Sequence, residues 1–124
     1  MSDLTRCALW KDPEAVIADK MADRFELLDT IEDGSHHWRY LLKCRQCGQR
    51  YVFEFYEEID WEDGDDPSWC TYVPVETEDE IAKLKTCWPG LLFLDGRPSL
   101  KDDRPKGKPR KLGWVGRGLV AGTA

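Results

Sequence analysis

Two cysteines carry the clearest chemical signal in this chain of 124 residues, in the segment Cys44-Arg45-Gln46-Cys47-Gly48. Two intervening residues let both thiolates approach one side of a metal ion. The following glycine relieves the tight turn that this approach requires. The segment is therefore a candidate half of a zinc site.

The hairpin around these cysteines, over residues 38–57, resembles one half-site of a zinc ribbon. The resemblance implies two further ligands, but the chain has no second Cys-x-x-Cys. Cys87 is the further candidate for a metal ligand. Both Cys87 and Cys7 could reach the hairpin only through tertiary folding, which the sequence does not show. Two alternatives stay open: a turn of the same shape with two free thiols, or a redox dithiol, although redox pairs of this spacing open a helix.

A long acidic segment is the second chemical feature. No lysine or arginine lies between Arg50 and Lys83. Carboxylates held together repel one another and cost stability. The segment is either a solvated face that aids solubility or a surface shaped for a cationic partner. Its twelve carboxylates are Glu54, Glu57, Glu58, Asp60, Glu62, Asp63, Asp65, Asp66, Glu76, Glu78, Asp79 and Glu80.

Two tryptophans, Trp61 and Trp69, flank the densest part of that segment. An aromatic ring anchors an interface at low entropic cost, and carboxylates steer and pair with arginine. The alternative is that both rings fold under the loop and hold it in place. The predicted partner-binding residues are Glu57, Glu58, Asp60, Trp61, Glu62, Asp63, Asp65, Asp66 and Trp69.

These groups need a scaffold, and the patterning predicts an α+β domain. Alternating apolar residues and turn signals predict an antiparallel sheet of about four strands, and capping signals predict two short helices. The strands are expected over residues 24–31, 37–43, 49–57 and 69–75, with the last one either weakened or placed at an edge by Pro74. The helices are expected over residues 12–23 and 77–87.

The charge balance divides the chain in two. Residues 1–94 hold 10 basic and 21 acidic side chains, whereas residues 95–124 hold 8 basic and 3 acidic ones. We therefore predict an acidic domain over 1–94 and a basic Gly/Pro-rich tail over 95–124, extended or partly disordered.

Several function classes are disfavoured. The two histidines, His36 and His37, are adjacent, so in a strand they face opposite sides and cannot easily share a metal or a proton. The chain has no phosphate-binding loop, nucleophile elbow or His-Glu-x-x-His motif. It also lacks a long apolar run and a signal peptide. These features predict a non-enzymatic, cytoplasmic protein without a membrane span.

The middle of the chain, over residues 36–76, resembles small bacterial immunity proteins of polymorphic-toxin systems. The resemblance implies a small, acidic, non-enzymatic protein that binds and neutralises a cognate toxin, here one with a basic, nucleic-acid-acting surface. The alternatives are a zinc-knuckle protein associated with nucleic acid, or a regulatory protein-binding domain. Direct nucleic-acid binding is disfavoured because the predicted domain would repel a polyanion. The resemblance rests on His37-Trp38-Arg39-Tyr40, Lys43-Cys44-x-x-Cys47-Gly48-Gln49-x-Tyr51, Glu54-Phe55, Glu57, Ile59-Asp60-Trp61 and Pro74-Val75.

Overall fold

A computed structural model describes residues 4–59, 61–62, 64, 66–84 and 97–115 of the chain. The described helices are a 3-10 turn over Leu4–Arg6 and the α-helices α1 (Ala8–Lys11), α2 (Pro13–Ala18), α3 (Met21–Arg24) and α4 (Glu78–Leu84). The strands are β1 (Phe25–Asp33), β2 (His37–Cys44), β3 (Arg50–Glu57), β4 (Ser68–Val75), β5 (Ser99–Arg104) and β6 (Lys111–Val115).

The six strands form one open antiparallel sheet in which each strand pairs with its neighbours in sequence, in the order β1-β2-β3-β4-β5-β6. The α+β class and the antiparallel sheet are confirmed. The expected four strands and two helices are too few, because the described residues hold six strands and four α-helices. None of these helices is long and apolar enough to cross a membrane.

Alternation along β2 and β3 divides the apolar side chains between the two faces of the sheet. One face packs Leu42, Tyr51 and Phe53 against the N-terminal helices, which contribute Leu9 and Val16. On the other face, Leu41, Val52, Val73 and Val75 of the sheet pack against Leu84 of α4. The N-terminal helices therefore form one layer of the domain, and they cover the face of the sheet on which Tyr51 and Phe53 of β3 lie.

The basic tail contributes β5 and β6 within the described residues, where an extended or partly disordered segment was expected. The alternation of apolar and polar residues that predicts a strand is broken in β5, because the inward-facing position 102 holds an aspartate, which is only 3% exposed. Arg110 compensates this burial by donating two hydrogen bonds to the Asp102 carboxylate, at 2.7 and 3.1 Å. The predicted boundary at 94/95 lies outside the described residues.

Strand β4 is an interior strand, and its predicted place at an edge is wrong. It pairs with β3 along its whole length, and with β5 from Ser68 to Tyr72. Pro74 is tolerated because the β5 pairing ends at Tyr72, so the missing N–H interrupts no ladder on that side.

Both predicted helix starts are confirmed. Asp12 accepts a hydrogen bond from the Ala15 amide ahead of Pro13, and Thr77 and Glu80 each accept from the other's amide as a capping box. The first helix is shorter than the predicted 12–23, because Asp19 and Lys20 leave the helical conformation between α2 and α3. Its caps therefore indicate the start of the helix and not its length.

Candidate functional site

Three cysteines converge at the end of the β2–β3 hairpin. The sulfur atoms of Cys7, Cys44 and Cys47 all lie within 4.8 Å of one another. Cys7 and Cys44 are buried, Cys47 is half-buried, and none of the three is in a disulfide. The three thiols are close enough to bind a metal ion.

The turn around Cys44 has the shape that the sequence predicted. The Gly48 amide donates to the Cys44 carbonyl at 2.9 Å, and Gly48 has a φ of 85°, which favours glycine. Burial by itself raises the pKa of Cys44, but hydrogen bonds from the backbone amides of Cys47 and Gln46, with help from the neighbouring thiols, bring that pKa below its usual value. The turn therefore makes the thiolate of Cys44 easier to form than that of an unperturbed cysteine.

Cys7 approaches this turn from the other side of the cluster. It precedes α1, and its carbonyl accepts from the Trp10 and Lys11 amides at 3.0 and 3.1 Å. Burial raises the pKa of the Cys7 thiol to about 12. Cys7 is therefore a neutral thiol in the absence of a cation.

Sequence reasoning gave Cys44 and Cys47 as metal ligands but did not place Cys7. The 36 positions between Cys7 and Cys44 carry no spacing signal, because the contact depends on how the N-terminal helices pack on the sheet. The predicted ligand Cys87 lies outside the described residues. Within the described residues, no histidine, aspartate or glutamate joins the three thiols.

The predicted partner-binding segment lies at the opposite end of β3 and β4. Here Tyr56 and Trp69 face each other across the two strands, with stacked rings whose centroids are 5.5 Å apart. Tyr56 is 45% exposed, and Trp61 in the following loop is 90% exposed. Trp61 therefore does not fold under the loop, and this end of the sheet presents aromatic surface to solvent.

The acidic segment forms two groups, since β4 separates them. Glu57 lies beside the start of β4, whereas Glu76 follows its end, roughly 25 Å away at about 3.3 Å per residue. In the second group, Glu78, Asp79 and Glu80 form ion pairs with Arg50, Lys83 and Arg97 respectively. The twelve carboxylates are thus not one continuous surface.

The carboxylates of the first group, from Glu57 to Asp66, differ in their partners and in their exposure. Glu57 pairs with His36 at 3.2 Å, and Asp66 lines a cavity together with Arg104, Lys108 and Arg110. Glu58 and Glu62 are exposed, while Asp60, Asp63 and Asp65 lie outside the described residues. Among the described residues, the exposed carboxylates of this loop are therefore those of Glu58, Glu62 and Asp66.

No protein-family profile, no curated protein and no solved structure matches this chain.

Proposed function

We propose that this protein is a non-enzymatic binding protein of the immunity kind, which neutralises a cognate toxin by docking on a basic surface of it. The docking surface in this proposal is the end of the sheet formed by Tyr56, Glu58, Trp61, Glu62 and Trp69. The observation that carries the proposal is the exposure of Trp61, at 90%, in the acidic loop that joins the two strands carrying the stacked pair of Tyr56 and Trp69.

The chemistry of this surface suits an arginine-rich partner. Exposed indole and phenol rings attract guanidinium groups through their faces, and nearby carboxylates pair with them. Negative charge also accelerates the encounter with a cationic protein.

Growth rescue tests the proposal. The toxin is the one that the proposal expects in the neighbouring reading frame, and it is expressed in cells with or without this chain. We expect the wild-type chain to restore growth, and Trp61→Ala combined with Glu58→Gln and Glu62→Gln to lose most of that protection.

A matched control uses the opposite end of the sheet. Glu78→Gln with Asp79→Asn also removes two exposed carboxylates, but it should leave the rescue intact. Loss of rescue in the control alone, or no rescue by the wild-type chain, would contradict the proposed function.

Zinc is the metal that we propose for the thiol cluster. Thiolate ligands favour soft or borderline cations, and Cys-x-x-Cys turns with amides directed at sulfur suit tetrahedral zinc. The lowered pKa of Cys44 agrees with such a turn, where burial is outweighed by backbone amide hydrogen bonds. The role that we propose for this zinc is structural, since ligand sets rich in thiolates are typical of structural zinc sites.

A further inference from the structure

Cys7 stands out among the groups that the sequence did not assign. It is fully buried, it comes from a different part of the chain than the hairpin, and its sulfur lies within 4.8 Å of those of both Cys44 and Cys47. We propose that Cys7 is the third ligand of a metal centre that fastens the N-terminal segment, residues 4–24, to the β2–β3 hairpin. This inference rests on the zinc part of the proposed function and is independent of the docking surface.

The spacing of the three sulfurs fits a metal centre without a change of fold. A Zn–S bond of about 2.3 Å in a tetrahedron places its sulfurs about 3.8 Å apart. The observed upper limit of 4.8 Å therefore leaves at most about one ångström of closure for each pair. On binding, three thiols lose their protons to solvent, and three thiolates replace three of the waters that surround the hydrated cation.

Tyr51 adds a second observation at the same place. Its side chain is fully buried, and its hydroxyl makes no well-formed hydrogen bond within the described structure. Burial is the main cause of the raised pKa of Tyr51, and the side chains of Cys7, Cys47 and Cys44 act in the same direction, which places this hydroxyl near the thiol cluster. A buried hydroxyl of this kind gains an acceptor when the neighbouring thiols become thiolates, so the surroundings of Cys7 are suited to the metal-bound form.

The N-terminal segment has a physical need for such a fastening. Its three α-helices have four, six and four residues, and helices this short are not stable without tertiary support. Leu4, Leu9 and Val16 supply that support by packing on the sheet. A metal ion held by Cys7 adds a further and stiffer attachment three residues from Leu4, besides the hydrogen bonds from Arg45 to the carbonyls of Ala22 and Arg24.

Two measurements on the full chain test the inference. In the first, the chain is stripped of metal under reducing conditions and titrated with Zn²⁺ against a chelator, and with Co²⁺ followed by its thiolate charge-transfer absorption. We expect one ion per chain and a weakening of affinity on the order of tenfold or more for each of Cys7→Ser, Cys44→Ser and Cys47→Ser. The matched control is Cys70→Ser, a half-buried thiol on β4 outside the cluster, which should keep wild-type affinity.

The second measurement needs no variant, so it does not depend on whether a variant folds. The native chain is alkylated with and without Zn²⁺, and each cysteine is read by mass spectrometry. Because Cys7 is buried, it reacts only when the N-terminal segment opens locally, so alkylation is followed over long times. We expect Zn²⁺ to slow this reaction of Cys7 together with the reactions of Cys44 and Cys47, and to leave the reaction of Cys70 unchanged.

The outcomes separate the two proposals. If Cys44 and Cys47 are protected and Cys7 is not, or if Cys7→Ser binds zinc as tightly as the wild-type chain, zinc binding stands and the third ligand is wrong. If the wild-type chain binds no zinc, both the zinc proposal and the fastening are wrong, while growth rescue still decides the docking proposal.

Discussion

At the scale of single residues, the most unusual group is a fully buried arginine. Arg39 on β2 has no exposed side-chain surface and donates to Glu54 at 3.1 Å. The same carboxylate interacts with His37 at 2.9 Å. A carboxylate beside a buried guanidinium stabilises a charge that would otherwise be costly to remove from water.

We therefore expect Glu54→Gln to lower the free energy of unfolding by about 1–3 kcal/mol, because the shape is kept while the charge facing Arg39 is lost. Urea denaturation provides the measurement. The control is Glu78→Gln, which breaks the pair of Arg50 with a carboxylate side chain that is 85% exposed. It should change stability by less than about 0.5 kcal/mol, and equal effects of the two variants would contradict the account.

Cys70 gives a pH-dependent prediction. Burial raises the pKa of Cys70 to about 11, and the nearby Asp102 carboxylate acts in the same direction. Below that pKa the reactive thiolate fraction grows with pH, so alkylation of Cys70 should speed up about tenfold per pH unit.

Mass spectrometry at several pH values gives the rate, with glutathione in the same tube as the reference thiol. The reference should level off near its own pKa while Cys70 continues to accelerate. A plateau for Cys70 below about pH 9.5, with the chain still folded, would show that the thiol is not perturbed.

At the scale of elements, local patterns predicted what local forces decide. The alternation of large apolar residues gave β2 and β3, and the capping box Thr77–Glu80 gave the start of α4. Strands β5 and β6 were missed because their stability comes from a partner far along the chain or from a buried ion pair. Asp102 looks like a loop residue until Arg110 is placed beside it.

Strand β6 also holds the N-terminal segment in place. The indole N–H of Trp114 donates to the Leu9 carbonyl at 3.1 Å, and its ring lies 4.9 Å from that of Trp10. Trp114→Phe keeps a ring but loses the donor, so we expect a loss of about 1 kcal/mol in unfolding free energy.

Hydrogen exchange should localise that loss. The amides of Trp10 and Lys11, which donate to the Cys7 carbonyl, should exchange faster in Trp114→Phe. Val115→Thr, at a position that is 58% exposed, serves as the neighbouring control and should have little effect. Unchanged exchange at both amides would mean that β6 does not support α1.

At the scale of the whole molecule, the two chemical features lie at opposite ends of β3. The thiol cluster lies at the end of β3 that begins with Arg50, and the aromatic residues lie at the end with Tyr56. Sequence reasoning singled out Cys44, Cys47 and Trp61, because a Cys-x-x-Cys turn and a tryptophan in an acidic loop are local signals. It could not find Cys7, nor that β4 divides the acidic segment, because both depend on how distant parts of the chain meet.

We propose a separate role for each end of the sheet: a metal ion stabilises the end with the thiol cluster, and the aromatic end binds the partner protein. If this end of the sheet docks on a cationic protein, its charges set how the association rate depends on salt. Exposed charges act over about 10 Å at moderate salt, so steering by Glu58 and Glu62 must weaken as ionic strength rises.

The most direct test is the association rate between this chain and the purified toxin of the neighbouring reading frame, measured by stopped flow over a range of salt concentrations. We predict that Glu58→Gln with Glu62→Gln slows association at low salt by roughly threefold or more and flattens its salt dependence. Glu78→Gln with Asp79→Asn should match the wild-type chain. Identical rates and salt slopes for all three proteins, or a larger effect of the second pair, would contradict the account.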